Sequence, residues 1–242
     1  MRVLVPPGHR RHGIGSALYE ALCRIGNEAG ATELVTEAQE ADDEAAPFLT
    51  RRGFVEYHRR VENRLSLANV DPTTIGRAID AHVDAFFASG VRIATFRQLG
   101  LAHADAAGRL YDLDTTLWAD VPFGLAGAVP SYEEYVAAEI THPDFLPAAT
   151  FIALDGDRWI GLSALVRRPG FLLSSMTGVV REWRNRGLAT WLKLHTLRHA
   201  LECGAAEIRT FNDSINPAIL ALNASFGFRV AAVQVRYRKE LR

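Results

Sequence analysis

Arg184, Asn185, Arg186 and Gly187 run into Leu188, Ala189 and Thr190, where a helix-like pattern begins, and an apolar stretch, Met176-Thr177-Gly178-Val179-Val180, precedes them. A loop of this kind leaves the first backbone N–H groups of the helix without partners. The helix dipole adds partial positive charge there, the arginines add more, and glycine lets a ligand come close to the backbone. The chemistry that follows is capture of a phosphate or pyrophosphate. A solvated basic turn would use the same residue types. Recurrence favours the anion site. Arg10-Arg11-His12-Gly13-Ile14-Gly15 repeats the pattern, and Gly13 and Gly187 stand 174 apart (187 − 13). Gly30 and Gly204, then Gly53-Phe54 and Gly227-Phe228, keep the same offset, so a structural unit is repeated without a gap.

The run Val179-x-x-x-x-Arg184-x-x-Gly187-x-Ala189 resembles the acetyl-CoA-binding motif of the GNAT N-acetyltransferase superfamily. Asn212-Asp213-Ser214-Ile215-Asn216-Pro217, with Leu220-x-x-Asn223-x-x-x-Gly227-Phe228 after it, is similar to the last strand–helix–strand of that superfamily. The tandem arrangement resembles two-domain acetyltransferases of the mycothiol synthase kind. The resemblance implies acetyl-CoA as cosubstrate, with no metal. It implies cofactor contacts from Val179, Val180, Arg184, Asn185, Arg186, Gly187, Leu188, Ala189, Thr190, Asn212 and Asn216. Asn212 and Asn216 also fit a turn and an N-cap. In such proteins the pantetheine arm lies beside the strand before the loop, here 174–180, pairing as an added strand would. A strand N–H would then face the thioester oxygen.

The family places a Tyr four residues before the Gly-Phe pair as proton donor. Asn223 stands there, and Leu49 in the first copy. An amide can hydrogen-bond sulfur but is a poor proton donor. Asn223 and Tyr237 are therefore the catalytic candidates, Tyr237 also fitting an ordinary strand aromatic. Leu49 marks the first copy as degenerate. Asp112, Asp114 and Asp120, with Trp118 and Phe123, fall where the family borders its acceptor. Asp120 and Trp118 are the substrate-binding candidates for a cationic amine, and a solvated acidic loop fits equally. Glu133 and Glu134 suit the dipole at a helix start. His195 and His199 have metal-ligand spacing but no third ligand.

These residues need elements to hold them. The pattern predicts strand 2–5, helix 14–29, strand 32–36, helix 42–52, one bent or two short strands over 54–67, and a helical connector 71–90. A strand near 92–97, helices over 102–117 and 131–140, and strands 150–154, 159–166 and 171–180 follow. The chain then reads as helix 187–203, strand 206–211, helix 217–226 and strands 228–232 and 233–241. The expected fold class is α/β, an α+β mixed sheet. The expected fold is the acyl-CoA N-acyltransferase fold, with one complete C-terminal copy and the C-terminal half of another at the N-terminus. The domains are read as 1–70, a partial GNAT-like unit, and 91–242, a complete one, joined by 71–90. Lacking earlier strands, the first unit is expected to pack against the second or another chain; a start site placed too late is the simpler alternative.

The chain has 242 residues, 48% hydrophobic and 23% charged, with net charge −1. No basic field favours nucleic acid or membrane, and no apolar run nears the ~20 residues of a span. No signal-peptide pattern opens it. Cys23 and Cys203 sit in the two copies of one helix and do not form a disulfide framework. The resulting expectation is a cytoplasmic acetyltransferase acting on a small-molecule primary amine, with a homodimer compatible. The alternatives are a non-catalytic acetyl-CoA-binding regulatory or scaffold module, or a protein-lysine acetyltransferase.

Overall fold

The computed structural model describes residues 1–121 and 129–241. In chain order the elements are α1 (Ile14–Glu28), β1 (Glu33–Gln39), α2 (Ala45–Thr50), β2 (Val55–Ser66), α3 (Pro72–Phe87), β3 (Val91–Thr95), α4 (Phe96–Ala102), α5 (Ala106–Trp118), α6 (Tyr132–Tyr135), β4 (Phe145–Asp155), β5 (Arg158–Arg168), β6 (Phe171–Val179), α7 (Leu188–Glu202), β7 (Glu207–Asp213), α8 (Pro217–Ser225) and β8 (Arg229–Glu240). A π-helical turn, Val136–Ile140, continues α6. The fold class is the mixed α/β expected from the sequence. No helix among the described residues is long and apolar enough to cross a membrane.

The chain divides into two units that are not contiguous in sequence: Met1–Glu62 with Val230–Arg242, and Asn63–Arg229. This differs from a division at 70 and 91. The last strand groups with the first unit because β8 pairs antiparallel with β1, from Glu33↔Glu240 to Gln39↔Gln234. Strand order there is β1-β8-β2. The core of this unit is Leu34, Leu49, Phe54, Val235 and Tyr237, with Phe48 and Tyr19 against it. Residues 2–5 do not form a strand. Leu4 is 71% exposed, and one contact beside the segment is the Met1 ammonium donating to the Val35 carbonyl at 2.5 Å. Residues 54–67 yield one continuous strand, one of the two forms expected, and 228–241 also yield one, rather than the two expected.

In the second unit the order is β7-β6-β5-β4-β3, antiparallel except for the parallel pair β6–β7. β5 is buried on both faces from Trp159 to Val166, as a central strand with helices above and below must be. Glycine marks where those helices press in. A Cβ on Gly161 would lie 2.9 Å from Leu192 of α7, and one on Gly178 would lie 3.2 Å from Leu117 of α5. Gly161 pairs with Val179 and Gly178 with Leu162, so the two glycines face opposite sides of the sheet. α7 thus covers one face and α5 the other. On α7, Trp191 stacks on Phe86 of α3 with ring centroids 5.1 Å apart. α3 therefore groups with this unit, and α7 is buried nearly all round. Its counterpart α1 has no buried residue.

α4 lies outside the predicted helices. It is opened by a capping box in which the Thr95 hydroxyl accepts from the Gln98 N–H and the Gln98 side chain accepts from the Thr95 N–H.

Candidate functional site

The loop between β6 and α7 holds a tight shape. Arg184 Nε donates to the Val179 carbonyl at 3.0 Å. Asn185 and Gly187 take left-handed backbone, φ 59° and 83°, which only glycine and a few short polar residues adopt readily. Gly187 is the N-cap of α7, with no side-chain cap. The first helical bond runs from the Trp191 N–H to the Gly187 carbonyl. The N–H groups of Leu188, Ala189 and Thr190 lie ahead of it, at the positions an α-helix leaves open. Leu188 is 1% exposed, so the backbone is all it can offer a ligand.

The first unit repeats this geometry residue by residue. Arg10 Nε donates to the Val5 carbonyl at 3.1 Å, Arg11 and Gly13 have φ 65° and 80°, and Gly13 caps α1. Beside this loop lies a cavity of about 900 Å³, lined by Gly13, Gly15, Ser16, Phe48 and Arg52 among others. By sequence this copy is degenerate at Leu49 yet keeps the phosphate-loop pattern at Arg10, Gly13 and Gly15. The repeated Arg-x-x-Gly-x-Gly was the signal available for it.

Each loop already holds a carboxylate. Asp120, only 14% exposed in its side chain, bridges two of the three arginines that follow β6, Arg181 and Arg184. Arg184 Nη2 lies 2.5 Å from Asp120 Oδ2, and Arg181 binds the other oxygen. These cations draw the Asp120 carboxyl down to about 2. In the first unit Glu44 lies 2.7 Å from Arg11 and 3.3 Å from Arg10, with Asp42 3.8 Å from Arg10. The same arginines hold Glu44 below the usual carboxylate range. Asp120 is thus engaged by the loop between β6 and α7. Arg186 lies over the Trp183 ring at 4.8 Å.

Beside the second loop the sheet opens. β6 and β7 are in register at Leu172↔Ile208 and Leu173↔Arg209. Beyond those residues no further ladder joins them among the described residues, although β6 runs to Val179 and β7 to Asp213. On its other edge β6 carries an irregularity between Ser174 and Thr177, where it pairs with β5. A bulge there takes backbone groups out of the ladder. Val180 N–H donates to the Ile160 carbonyl at 3.0 Å, and Val179 O serves Arg184, so those two groups are engaged.

Asn223 is 1% exposed; its Nδ2 donates to Asn212 Oδ1 at 2.7 Å, and its own Oδ1 is buried without a hydrogen-bond partner among the described residues. Asn212 and Asn223 therefore come together, joining β7 to α8. Asn216 caps α8, accepting from the Ile219 N–H at 3.3 Å. Tyr237 belongs to the first unit, paired with Thr36 and 5% exposed; burial first, then Glu56, push its hydroxyl pKa up. Trp118 ends α5, 40% exposed. Phe123 lies outside the described residues. His195 and His199 pack on Phe151, with ring centroids 5.4 and 6.3 Å away, and burial lowers His195 to about 4. Among the described residues no group of three His, Cys, Asp or Glu side chains could hold a metal ion.

Comparison with known proteins gives a family likeness first. Residues 1–54 match the Acetyltransferase (GNAT) family. A GCN5-related N-acetyltransferase from Sphaerobacter thermophilus shares the fold with TM-score 0.73 at 18% identity, over 98% of this chain and 71% of that one. A tandem GNAT protein from the clavulanic acid biosynthesis pathway gives TM-score 0.70 at 21% identity, over 99% and 73%. The particular relative is a mycothiol acetyltransferase of Geodermatophilus obscurus, 26% identical over 248 residues, covering 98% of this chain and 72% of that protein. Together these findings support a tandem GNAT arrangement, an enzyme, and acetyl transfer.

Proposed function

We propose that the chain moves an acetyl group from acetyl-CoA to a primary amine of a small molecule, by direct attack on the thioester, in the unit that carries Arg184 to Thr190. One observation carries the reading. β6 and β7 part beside the Gly187-capped start of α7, so an open strand edge adjoins a set of free helix N–H groups. Gly187, Leu188, Ala189 and Thr190 hold the pyrophosphate through their backbone, with Arg184 and Arg181 released from Asp120. The β6 edge takes the pantetheine amides. Acetyl-CoA supplies the activated acyl group. The first unit takes a second acetyl-CoA beside Gly13 and Gly15. The acetyltransferase relative, named for mycothiol, supports a small-molecule acceptor. A reading as a binding module without transfer draws on Asn223, whose donor is committed to Asn212.

The test is calorimetry with acetyl-CoA alongside CoA release with a panel of primary amines. Asp accepts left-handed backbone better than most residues, so Gly187→Asp keeps the turn and puts a negative charge where the pyrophosphate sits. The wild type binds two acetyl-CoA per chain. Gly187→Asp binds one and loses turnover, while Gly13→Asp binds one and keeps it. Saturating acetyl-CoA, at about 100 times its dissociation constant, stabilises each intact site by about 2.7 kcal/mol. Turnover that survives Gly187→Asp refutes the assignment, and binding with no product from any amine favours the module.

A further inference from the structure

His82 brings α3 to the loop between β6 and α7. It lies one turn from Phe86, which stacks on Trp191 of α7. Its Nδ1 bonds the Ala78 carbonyl at 2.7 Å. A carbonyl only accepts, so Nδ1 carries the hydrogen and Nε2 is the free ring atom. That nitrogen is the nearest atom to the open side of Gly187, 3.6 Å from where a Cβ would stand. It has no hydrogen-bond partner among the described residues, and the ring is half-buried rather than sealed. The loop's other cations are engaged. Asp120 holds Arg181 and Arg184, and Arg186 lies over Trp183. The loop carboxylate Glu182 is held by Arg158. On α3 the residues one turn from His82 are Ala78, Ile79, Ala85 and Phe86, so Arg77, Asp80 and Asp84 lie off this face. On α7, Trp191 meets α3, and burial lowers His195, one turn further on, to about 4. β3, also packed on α3, carries one charged residue, Arg92. The ring of His82 therefore faces the open start of α7, and the two carboxylates of this region, Asp120 and Glu182, are already taken by arginines.

We infer that the His82 imidazole, as its cation, donates Nε2–H to the pyrophosphate held at the start of α7, so that acetyl-CoA binds this loop more tightly as pH falls through the range in which histidine gains its proton. An adjacent anion favours the charged ring, and protonation and binding then favour each other by the same factor. Naming the anion as the pyrophosphate of acetyl-CoA rests on the acetyl-transfer reading; the anion contact itself does not.

The test uses the full chain carrying Gly13→Asp, in which the second loop alone is left to bind, and calorimetry with acetyl-CoA at about pH 6 and about pH 8. His82→Gln keeps an N–H donor but stays neutral at both. The 3′-phosphate of acetyl-CoA titrates in the same range and does so equally against both proteins, so the difference between them belongs to the ring. The gain in affinity at the lower pH is expected to be roughly three- to tenfold larger with His82 than in His82→Gln. An equal gain in the two proteins overturns the inference. The second readout is the Nε2 resonance of nitrogen-15 histidine-labelled wild type, assigned by its loss in His82→Gln. Acetyl-CoA and inorganic pyrophosphate should each raise the pH at which it titrates, by about half a unit to one unit. A ring whose titration neither ligand moves is structural only and also overturns the inference, and this readout decides alone if His82→Gln fails to fold. A ring that answers pyrophosphate in a chain that does not bind acetyl-CoA leaves the anion contact standing and removes the acetyl-CoA reading; acetyl-CoA bound at this loop with the ring unmoved does the reverse.

Discussion

At the scale of single residues, the two aspartates of α5 and its end illustrate opposite uses of charge. Asp120 is drawn down by Arg181 and Arg184. In the proposed site it occupies the arginines that would meet the pyrophosphate, so Asp120→Ala should tighten acetyl-CoA binding in the second unit by roughly two- to fivefold, the scale of an ion pair near the surface. Calorimetry on Gly13→Asp, with only that site left, reads it; weaker binding would make Asp120 a support of the loop instead. Asp114 is pushed up to about 6, chiefly by burial, with Glu139 adding and the Tyr135 hydroxyl opposing. Its folded pKa lies above its unfolded value, so the folded state holds the extra proton and loses stability as pH rises from about 4 to 6. Asp114→Asn removes that penalty. It should be the more stable protein at pH 8, by at most about 3 kcal/mol, with the gap closing at pH 4. Melting curves across that range check it. Sequence could name Arg184, Gly187 and the unusual Asn223, because motif and chemistry are local. It could not tell which of Asp112, Asp114 and Asp120 faces arginines and which faces tyrosines, since those partners come from elements far along the chain.

At the scale of elements, the repeat was the most legible feature, and the structure gives it dihedral detail. α1 and α7, β1 and β7, and β2 and β8 have bounds that differ by the same 174 residues. Gly30 and Gly204 end their helices at φ 70° and 68°, and Gly53 and Gly227 turn at 81° and 84°. Errors arose where a pattern lacked its partner. Val3 and Val5 alternate as a strand does, but no neighbouring strand pairs with them. The pattern divides 228–241 after 232, yet Val233, Val235 and Tyr237 keep β8 in one piece. Helix-on-sheet contact was invisible in sequence and is testable. Gly161→Ala sets a methyl 2.9 Å from the fully buried Leu192. Overpacking of this kind costs about 1–3 kcal/mol, so a drop in melting temperature is expected, whereas Gly76→Ala, with open space around it, should not lower it.

At the scale of the whole molecule, the limits of the two units follow backbone pairing rather than chain order. Residues 230–242 supply β8 to the first unit, and with it Val235 and Tyr237 of that unit's core. Deleting 230–242 should therefore unfold the first unit while leaving much of Asn63–Arg229 protected, a pattern that amide hydrogen exchange resolves residue by residue. Equal loss of protection across the chain would refute two separable units. No local signal could announce this, because the partner of Glu33 is Glu240. The arrangement also has a consequence in time. During synthesis β1 is made early, and the 167 residues between Glu62 and Val230 (229 − 62) must follow before β8 emerges. At about 5–20 residues per second that is roughly ten to thirty seconds. Throughout that interval the backbone edge of β1 that β8 will cover stays open to any other strand. Translation speed and chaperone access, rather than contacts in the finished fold, then govern how much of the first unit is recovered.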